Sequence, residues 1–387
     1  MKTLSLRTEN LFGAILMMAG CCIGAGMIGL PLFSMAAGFL PSSIAIIATY
    51  LFTTATGLVI LEGVLWFEHR ASFFSIAERV LGKWGKRCTG VLFMALFYAI
   101  FVAYLDGGGQ MVQGVLGVSR EVGVTAYLTC GALVLRMGIR GVDQINRLLL
   151  VGLALAFCLI VGMGAMHVKS DNLGHIDWKM ALGTLPILFI SFGYQNLVPT
   201  LAHYLKRNVA ATRLAIVVGN FIPMIMLLLW NAIILGLDSG KDNGGGCLIS
   251  QLLLQTAQNS SVLFLLDVFS FCALFTSFIT VGISFVDFLR DGFKRPVHDG
   301  ILEGLVLLPP FLVSLLIPGL FLRALSFAGG FIDVLLFGLM PIVILWVGRY
   351  KKGMNGPYQI PGGKLLLLGM GLLCLGLVLL NSGVYHS

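Results

Sequence analysis

Six residues, Gly24-Ala25-Gly26-Met27-Ile28-Gly29, spell G-x-G-x-x-G. Backbone amides left bare by glycines at a helix N-terminus attract an anion, which is why this spacing often cradles a pyrophosphate. A dinucleotide site also needs a preceding strand, a soluble βαβ unit and an acidic residue about 20 positions on. Here the flanks are apolar, Leu30-Pro31 follows, and Ala48, Thr49 and Tyr50 stand where the acid belongs. The nucleotide reading fails, but its physics survives, because the same amides would hold a substrate carboxylate. Close helix packing through Gly20-x-x-x-Gly24 is the other reading of these glycines.

Five carboxylates, Glu62, Asp106, Asp267, Asp287 and Asp333, fall within or at the ends of long apolar runs. An intramembrane carboxylate is costly and points to function unless it is solvated or paired. Glu62, Asp267 and Asp287 sit near run ends, where interfacial solvation or pairing with Arg290 accounts for them. Asp106 and Asp333 lie deeper and are candidates for an outer gate or a proton path. Enzymatic signatures are missing. Gly85-Lys86 and Gly363-Lys364 are followed by Arg87 and Leu365, so neither completes a Walker A motif, and no H-E-x-x-H or G-x-S-x-G occurs. Eight cysteines show no metal-ligand spacing and read as small apolar residues. No cofactor or metal is expected, and transport would be secondary, driven by H+ or Na+.

The elements that must position these groups are membrane helices. Of 387 residues 58% are hydrophobic and 11% charged, with a mean hydropathy of +0.97, against about 25% charged in soluble domains. At about 20 residues per crossing the sequence predicts an all-α integral membrane protein with eleven spans. They cover 11–33, 41–65, 89–109, 122–135, 148–166, 182–203, 214–236, 263–289, 301–317, 324–347 and 365–384. The first run is too long for a signal-peptide core and is read as a retained span. With the N-terminus cytoplasmic, only Arg120, Lys169, Lys179, Lys241 and Arg323 of the 25 basic residues lie outside, so the other 20 lie inside. That bias predicts N-in and C-out. The net charge of +8 resides in short loops and does not signal nucleic acid. The outer loop 237–262 is too short for a soluble domain, so 1–387 reads as one membrane domain. Residues 66–88 are expected to form a helix along the membrane face.

Two spans contradict their own helicity. Glycine costs about 1 kcal/mol per helical position, and backbone unwound in hydrocarbon must meet polar partners. The first span carries four glycines and Pro31 at its centre; the sixth brackets Ser191-Phe192-Gly193-Tyr194 between Pro186 and Pro199. Proline kinks that serve packing are the blander explanation. Matched breaks five spans apart point to an inverted repeat, 11–166 against 182–347, with the eleventh span, 365–384, outside it and substrate held where the breaks meet.

The chain resembles the hydroxy and aromatic amino acid permeases of the wider amino acid–polyamine–organocation superfamily, most closely the tyrosine branch. The resemblance rests on Gly24-Ala25-Gly26-Met27 with Pro31, Asn146-Arg147, Ser191-Phe192-Gly193-Tyr194 with Val198-Pro199, Thr276-Ser277-Phe278, the stretch from Phe285 to Asp291, and Leu308-Pro309-Pro310. It implies a bacterial inner-membrane importer of leucine-transporter fold that carries an aromatic amino acid, tyrosine first and tryptophan next, by alternating access. The amides of Ala25, Gly26 and Met27, beside Gly24, would suit its carboxylate. Freed carbonyls around Cys21, Cys22, Phe189, Ile190 and Phe192, with Ser191 and Gly193 beside them, would suit its ammonium. Tyr98, Tyr104, Phe192, Tyr194 and Phe278 lie in spans that line the site in that fold. A sodium site would use carbonyls of Gly20 and Ile23 with the Thr276 and Ser277 hydroxyls, unless these bond their own helix. Bacterial members are generally proton-driven, although 148–166 holds no lysine to replace the ion. Protons are the expected driver, a sodium symporter and a channel are the alternatives, and the oligomeric state stays open.

Overall fold

The computed structural model describes residues 2–67, 72–166, 168–237, 260–292 and 298–384, and each expected span falls on a helical segment. No strand occurs among these residues. Among the described residues nine helices are long and apolar enough to cross a membrane, and Asn10–Cys22 with Ala25–Ala37 form a tenth span bent by 51°. The short fourth span is Arg120–Arg136. The second is Phe39–Leu65, the third runs within Phe73–Leu116, the fifth is Gly138–Ala165 and the sixth Trp178–Tyr204. The seventh is Val209–Leu237, the eighth Ser260–Gly292, the ninth Asp299–Leu316, the tenth Phe321–Lys351 and the eleventh Gly363–Val384. The outer loop 238–259 with Lys241 and Cys247, and Arg70, Lys294 and Arg295, lie outside the described residues.

Both breaks are where the sequence places them. The first span stops at Cys22 and restarts at Ala25. In the sixth, Leu185–Ser191 ends at Phe192, and Val198–Tyr204 resumes after one turn of 3-10 helix at Gln195–Leu197. Pro186 and Pro199 sit in the first turns of those two half-helices, where a missing amide costs nothing. They start helices; they do not kink one. The tenth span holds an unexpected feature, a π-helical stretch over Ala328–Leu339 that includes Asp333. Such wide turns are rare and cluster at functional sites.

The segment before the third span packs inward. Ser72 caps it, its hydroxyl accepting from the Ser75 amide, and Gly82, at φ 73°, ends it in a conformation open to glycine. Phe73, Ile76, Ala77 and Val80 form one buried stripe, and Phe73 meets Phe93 and Phe337 edge-on or tilted. Its apolar face therefore rests on the bundle. Around the breaks, the first span packs on the seventh and the fifth on the eighth. An aromatic ladder joins the third and eighth spans, with Phe97 stacked on Phe285 at 4.8 Å and Phe101 tilted against Phe278 at 5.0 Å. The eleventh span exposes Leu365, Leu368, Leu372, Leu373, Leu375, Leu379 and Leu380, a lipid-facing surface suited to its peripheral place.

Candidate functional site

A cavity of about 410 Å³ opens at the first break. Its first-span wall is Leu16, Met17, Gly20, Cys21 and Ile23, its sixth-span wall Ile190, Gly193, Asn196 and Leu197. Tyr104, Asn146, Thr276, Ser277, Thr280, Ser284 and Asp333 supply its other polar groups, and Phe93, Phe97 and Phe337 its aromatic surface. Odd-numbered spans contribute residues from their first halves or centres and even-numbered spans mostly from their second halves. The chain alternates direction, so the cavity extends toward the end of the bundle where the chain begins.

The break itself is polar by construction. A helix ending at Cys22 leaves its last-turn carbonyls without intrahelical partners and puts a partial negative charge on the cavity side. The restarted helix begins at Ala25, and the Met27 amide donates to the Gly24 carbonyl at 3.0 Å, which leaves the Ala25 and Gly26 amides without intrahelical acceptors. A Cβ on Gly26 would lie 2.1 Å from Ser191 Oγ, and one on Gly24 would lie 2.7 Å from Ser277 Oγ. Glycine is thus required for contact between broken spans as well as for access. Packing accounts for Gly24 and Gly26, whereas a Cβ on Gly20 would meet nothing within 4 Å, so the Gly20-x-x-x-Gly24 packing reading holds only at Gly24.

Gly20, Ile23, Tyr104, Gly193, Thr276, Ser277 and Asp333 meet in the cavity as the sequence suggests. Cys22, Gly24, Ala25, Gly26, Met27 and Ser191 lie one layer behind it, buried or half-buried; the Cys22 thiol faces the Asn220 amide oxygen, and Ser191 donates to the Ile187 carbonyl at 2.7 Å. Four expected aromatic walls face elsewhere. Tyr98 donates to the Leu305 carbonyl at 2.9 Å, and Tyr194 to the Thr53 carbonyl at 2.8 Å. Phe278 lies between Phe101 and Tyr127, and Phe192 is wholly buried. The carbonyls of Phe189, Ile190 and Phe192 are not freed, since the amides of Phe192, Gly193 and Tyr194 donate to them in a tight turn. Thr276 donates to the Ala273 carbonyl at 3.2 Å, the own-helix alternative, whereas the Ser277 hydroxyl lies against Gly24 at the first break. The sequence reading missed Phe93, Phe97, Phe337, Asn196, Thr280 and Ser284. Thr276, Thr280 and Ser284 recur at four-residue spacing, a polar stripe on an apolar helix that periodicity could have found.

The carboxylates divide sharply. Asp287 pairs with Arg290 at 2.6 Å, as expected at a span end. Glu62 is fully buried and clasped by Arg349, with the Ile360 amide donating to it at 2.8 Å; it is neither interfacial nor paired with Arg290. Asp106 is bound on all sides, by Arg120 at 2.8 Å, Gln110 at 2.7 Å and the Phe321 amide at 2.9 Å. Arg120 also donates to the Ser314 carbonyl, so the cluster ties the third, fourth, ninth and tenth spans at the end opposite the cavity mouth. A carboxylate so saturated suits a latch better than a proton path. The 168–178 connection shuts the same end, with the Asp177 amide on the Ala37 carbonyl at 2.8 Å and Asn172 on the Gly236 carbonyl at 2.9 Å. Asp106→Asn is expected to loosen this end, doubling or more the rate at which a cysteine placed at Ser314 reacts with a thiol reagent. An unchanged rate would show that the cluster does not hold the end shut.

A many-spanned helical protein with two broken helices around a half-open cavity has the architecture of a membrane permease, not an enzyme. The family model described as the tryptophan/tyrosine permease family matches residues 7–381, and the chain belongs to that family. Similar proteins include the tyrosine-specific transport system 1 of Haemophilus influenzae, 30% identical over 92% of both chains. The tryptophan-specific transport protein of the same organism is 27% identical over 93% of both. Glutamine transporter 2 of Aliivibrio fischeri is 28% identical over 97% of this chain and 99% of its own.

Proposed function

We propose that this protein imports an aromatic amino acid, tyrosine before tryptophan, across the bacterial inner membrane by proton symport. The observation that carries the reading is the cavity at the first break, where half-helix carbonyls, hydroxyls and phenyl rings meet in one space. The ammonium would meet the carbonyl end at Gly20, Cys21 and Ile23, and the carboxylate the amides of Ala25 and Gly26 once Ser191 and Ser277 shift. The aromatic ring would lie against Phe93, Phe97 and Phe337. A continuous polar pore, as a channel needs, is at odds with an opposite end sealed by Asp106, Arg120 and the 168–178 connection.

The five-plus-five repeat gains support from packing. The fifth span rests on the eighth as the tenth rests on the third, and the first rests on the seventh as the sixth rests on the second. Those are the pairs that exchange under a swap of the two halves. The basic-residue bias makes the cavity mouth cytoplasmic, so the conformation is open inward.

Labelled tyrosine in proteoliposomes tests this. Accumulation under an imposed proton gradient is expected, with unlabelled tyrosine competing more strongly than tryptophan and both more strongly than glutamine. One charge moving through 100 mV supplies about 2.3 kcal/mol, enough for roughly fiftyfold accumulation at about 1.4 kcal/mol per decade. Uptake that instead requires sodium at fixed pH and potential, and is lost in Thr276→Ala with Ser277→Ala, would move coupling to the first-span and eighth-span pocket. Competition by glutamine alone would overturn the aromatic reading.

A further inference from the structure

Among the described residues the cavity holds one carboxylate, Asp333, and the hydrogen bonding around it is unlike that of the other buried acids. The residue is 2% exposed, and neither carboxylate oxygen has a hydrogen-bond partner among the described residues. It projects from the π-helical turn of the tenth span toward the sixth-span break, where a Cβ on Gly193 would lie 3.6 Å from Oδ1 and 3.2 Å from the Ile190 carbonyl. We propose that Asp333 carries the coupled proton, binding it when the cavity faces outward and releasing it through the inward mouth.

The surroundings leave Asp333 alone for that task. On the third span Asp106 is held by Arg120, Tyr98 donates to the Leu305 carbonyl, and Tyr104 lines the cavity as a neutral phenol. The sixth span brings Tyr194, whose hydroxyl is given to Thr53, and the second brings Glu62, clasped by Arg349 from the end of the tenth. The eleventh brings Cys374, packed on Gly338. Arg323, also in the tenth span, lies ten residues before Asp333, about three turns away, with interactions of its own. Tyr350 is at its far end against Trp346.

An ionised carboxylate with no partner is costly out of water. In the inward-open structure Asp333 lines the cavity wall with both carboxylate oxygens covered; a shift of the sixth-span break that lets cavity water reach them releases the proton to the cytoplasmic bath. Closing the cavity removes that water, so the transition requires a proton or another cation on the carboxylate. The wide π turn lets the side chain face the sixth-span break, so its charge bears directly on the helix that must move. The step needs only a proton taken from the outer bath, an O–H bond formed, and the same bond broken on the inner side. Coupling then runs through the sixth and tenth spans, not through Thr276, whose hydroxyl is spent on Ala273.

The proposal rests on the aromatic amino acid reading, and the measurements separate the two. Wild-type proteoliposomes exchanging labelled for unlabelled tyrosine without a gradient test that reading alone. Asp333→Asn is expected to bring gradient-driven accumulation down to the equilibrium level, a larger factor than it takes from exchange, with Asp333→Glu restoring part of the accumulation. Infrared difference spectra of the substrate-free protein give an independent readout, a carboxylic C=O band that titrates with pH and vanishes in Asp333→Asn. Thermal unfolding of each variant controls for folding. Accumulation by Asp333→Asn equal to the wild type, or a spectrum without the band, overturns the proposal. Loss of exchange in a folded Asp333→Asn protein also overturns it and makes Asp333 the ammonium ligand.

Discussion

Gly26→Val is expected to abolish tyrosine exchange in a protein that still inserts and purifies as a folded species, while Gly26→Ala lowers it. At this position an added Cβ lies 2.1 Å from Ser191 Oγ and 3.0 Å from Ser191 Cα. The hydroxyl can swing away, at the loss of its bond to the Ile187 carbonyl; the backbone cannot. A single methyl therefore presses the two broken spans apart at the point where they meet. Overpacking of this kind costs about 1–3 kcal/mol, or roughly 5- to 150-fold at about 1.4 kcal/mol per decade, and valine adds bulk that alanine lacks. Ser191→Gly in the Gly26→Ala background removes the first clash and should recover part of the loss. Gly193→Val acts differently, since its nearest neighbours are the Ile190 carbonyl and Asp333; it fills the cavity and should weaken binding without separating the spans. Normal exchange by Gly26→Val would mean that the breaks do not meet during transport.

Glu62→Ala or Arg349→Ala should destabilise the protein by about 3–5 kcal/mol, because removing one partner strands the other charge out of water. Glu62 is fully buried and Arg349 is 7% exposed. Together with the Ile360 backbone, bonded through both its amide and its carbonyl, they fasten the adjoining ends of the second and tenth spans to the 352–362 connection. Exposed pairs such as Lys86–Glu78 and Arg147–Asp143 should contribute about 1 kcal/mol or less. Thermal unfolding in detergent checks the contrast. The double replacement Glu62→Leu with Arg349→Met should cost less than either single alanine change, since no charge is left unpaired.

Hydropathy and the glycine and proline positions carried the fold, because spans and breaks are properties of single segments. The stretch from Leu185 to Thr200 announced its interruption without any neighbour. Side-chain direction was not legible in the same way. Phe192, Tyr194 and Phe278 are in the right spans, yet each faces a helix that composition cannot orient, and Phe93, Phe97 and Phe337 face the cavity with no local signal. Asp106 and Asp333 looked alike as deep carboxylates. What separates them is Arg120, placed against Asp106 by the turn between the third and fourth spans, while Asp333 has no hydrogen-bond partner among the described residues. Glu62 and Arg349 are far apart in sequence, so the pair emerges only when the second and tenth spans pack. The π-helical turn at Ala328–Leu339 leaves no recognisable mark in Ala-Gly-Gly-Phe-Ile-Asp.

That substrate occupies the space beside the first break can be tested at Cys21, which is exposed and lines the cavity. In a protein keeping Cys21 as its only cysteine, the rate of modification by a small hydrophilic thiol reagent is measured with and without tyrosine. Saturating tyrosine is predicted to slow the reaction at least fivefold, with half-protection at the concentration that half-saturates exchange. A rate unchanged by tyrosine, in protein that still exchanges it, would place the binding site elsewhere.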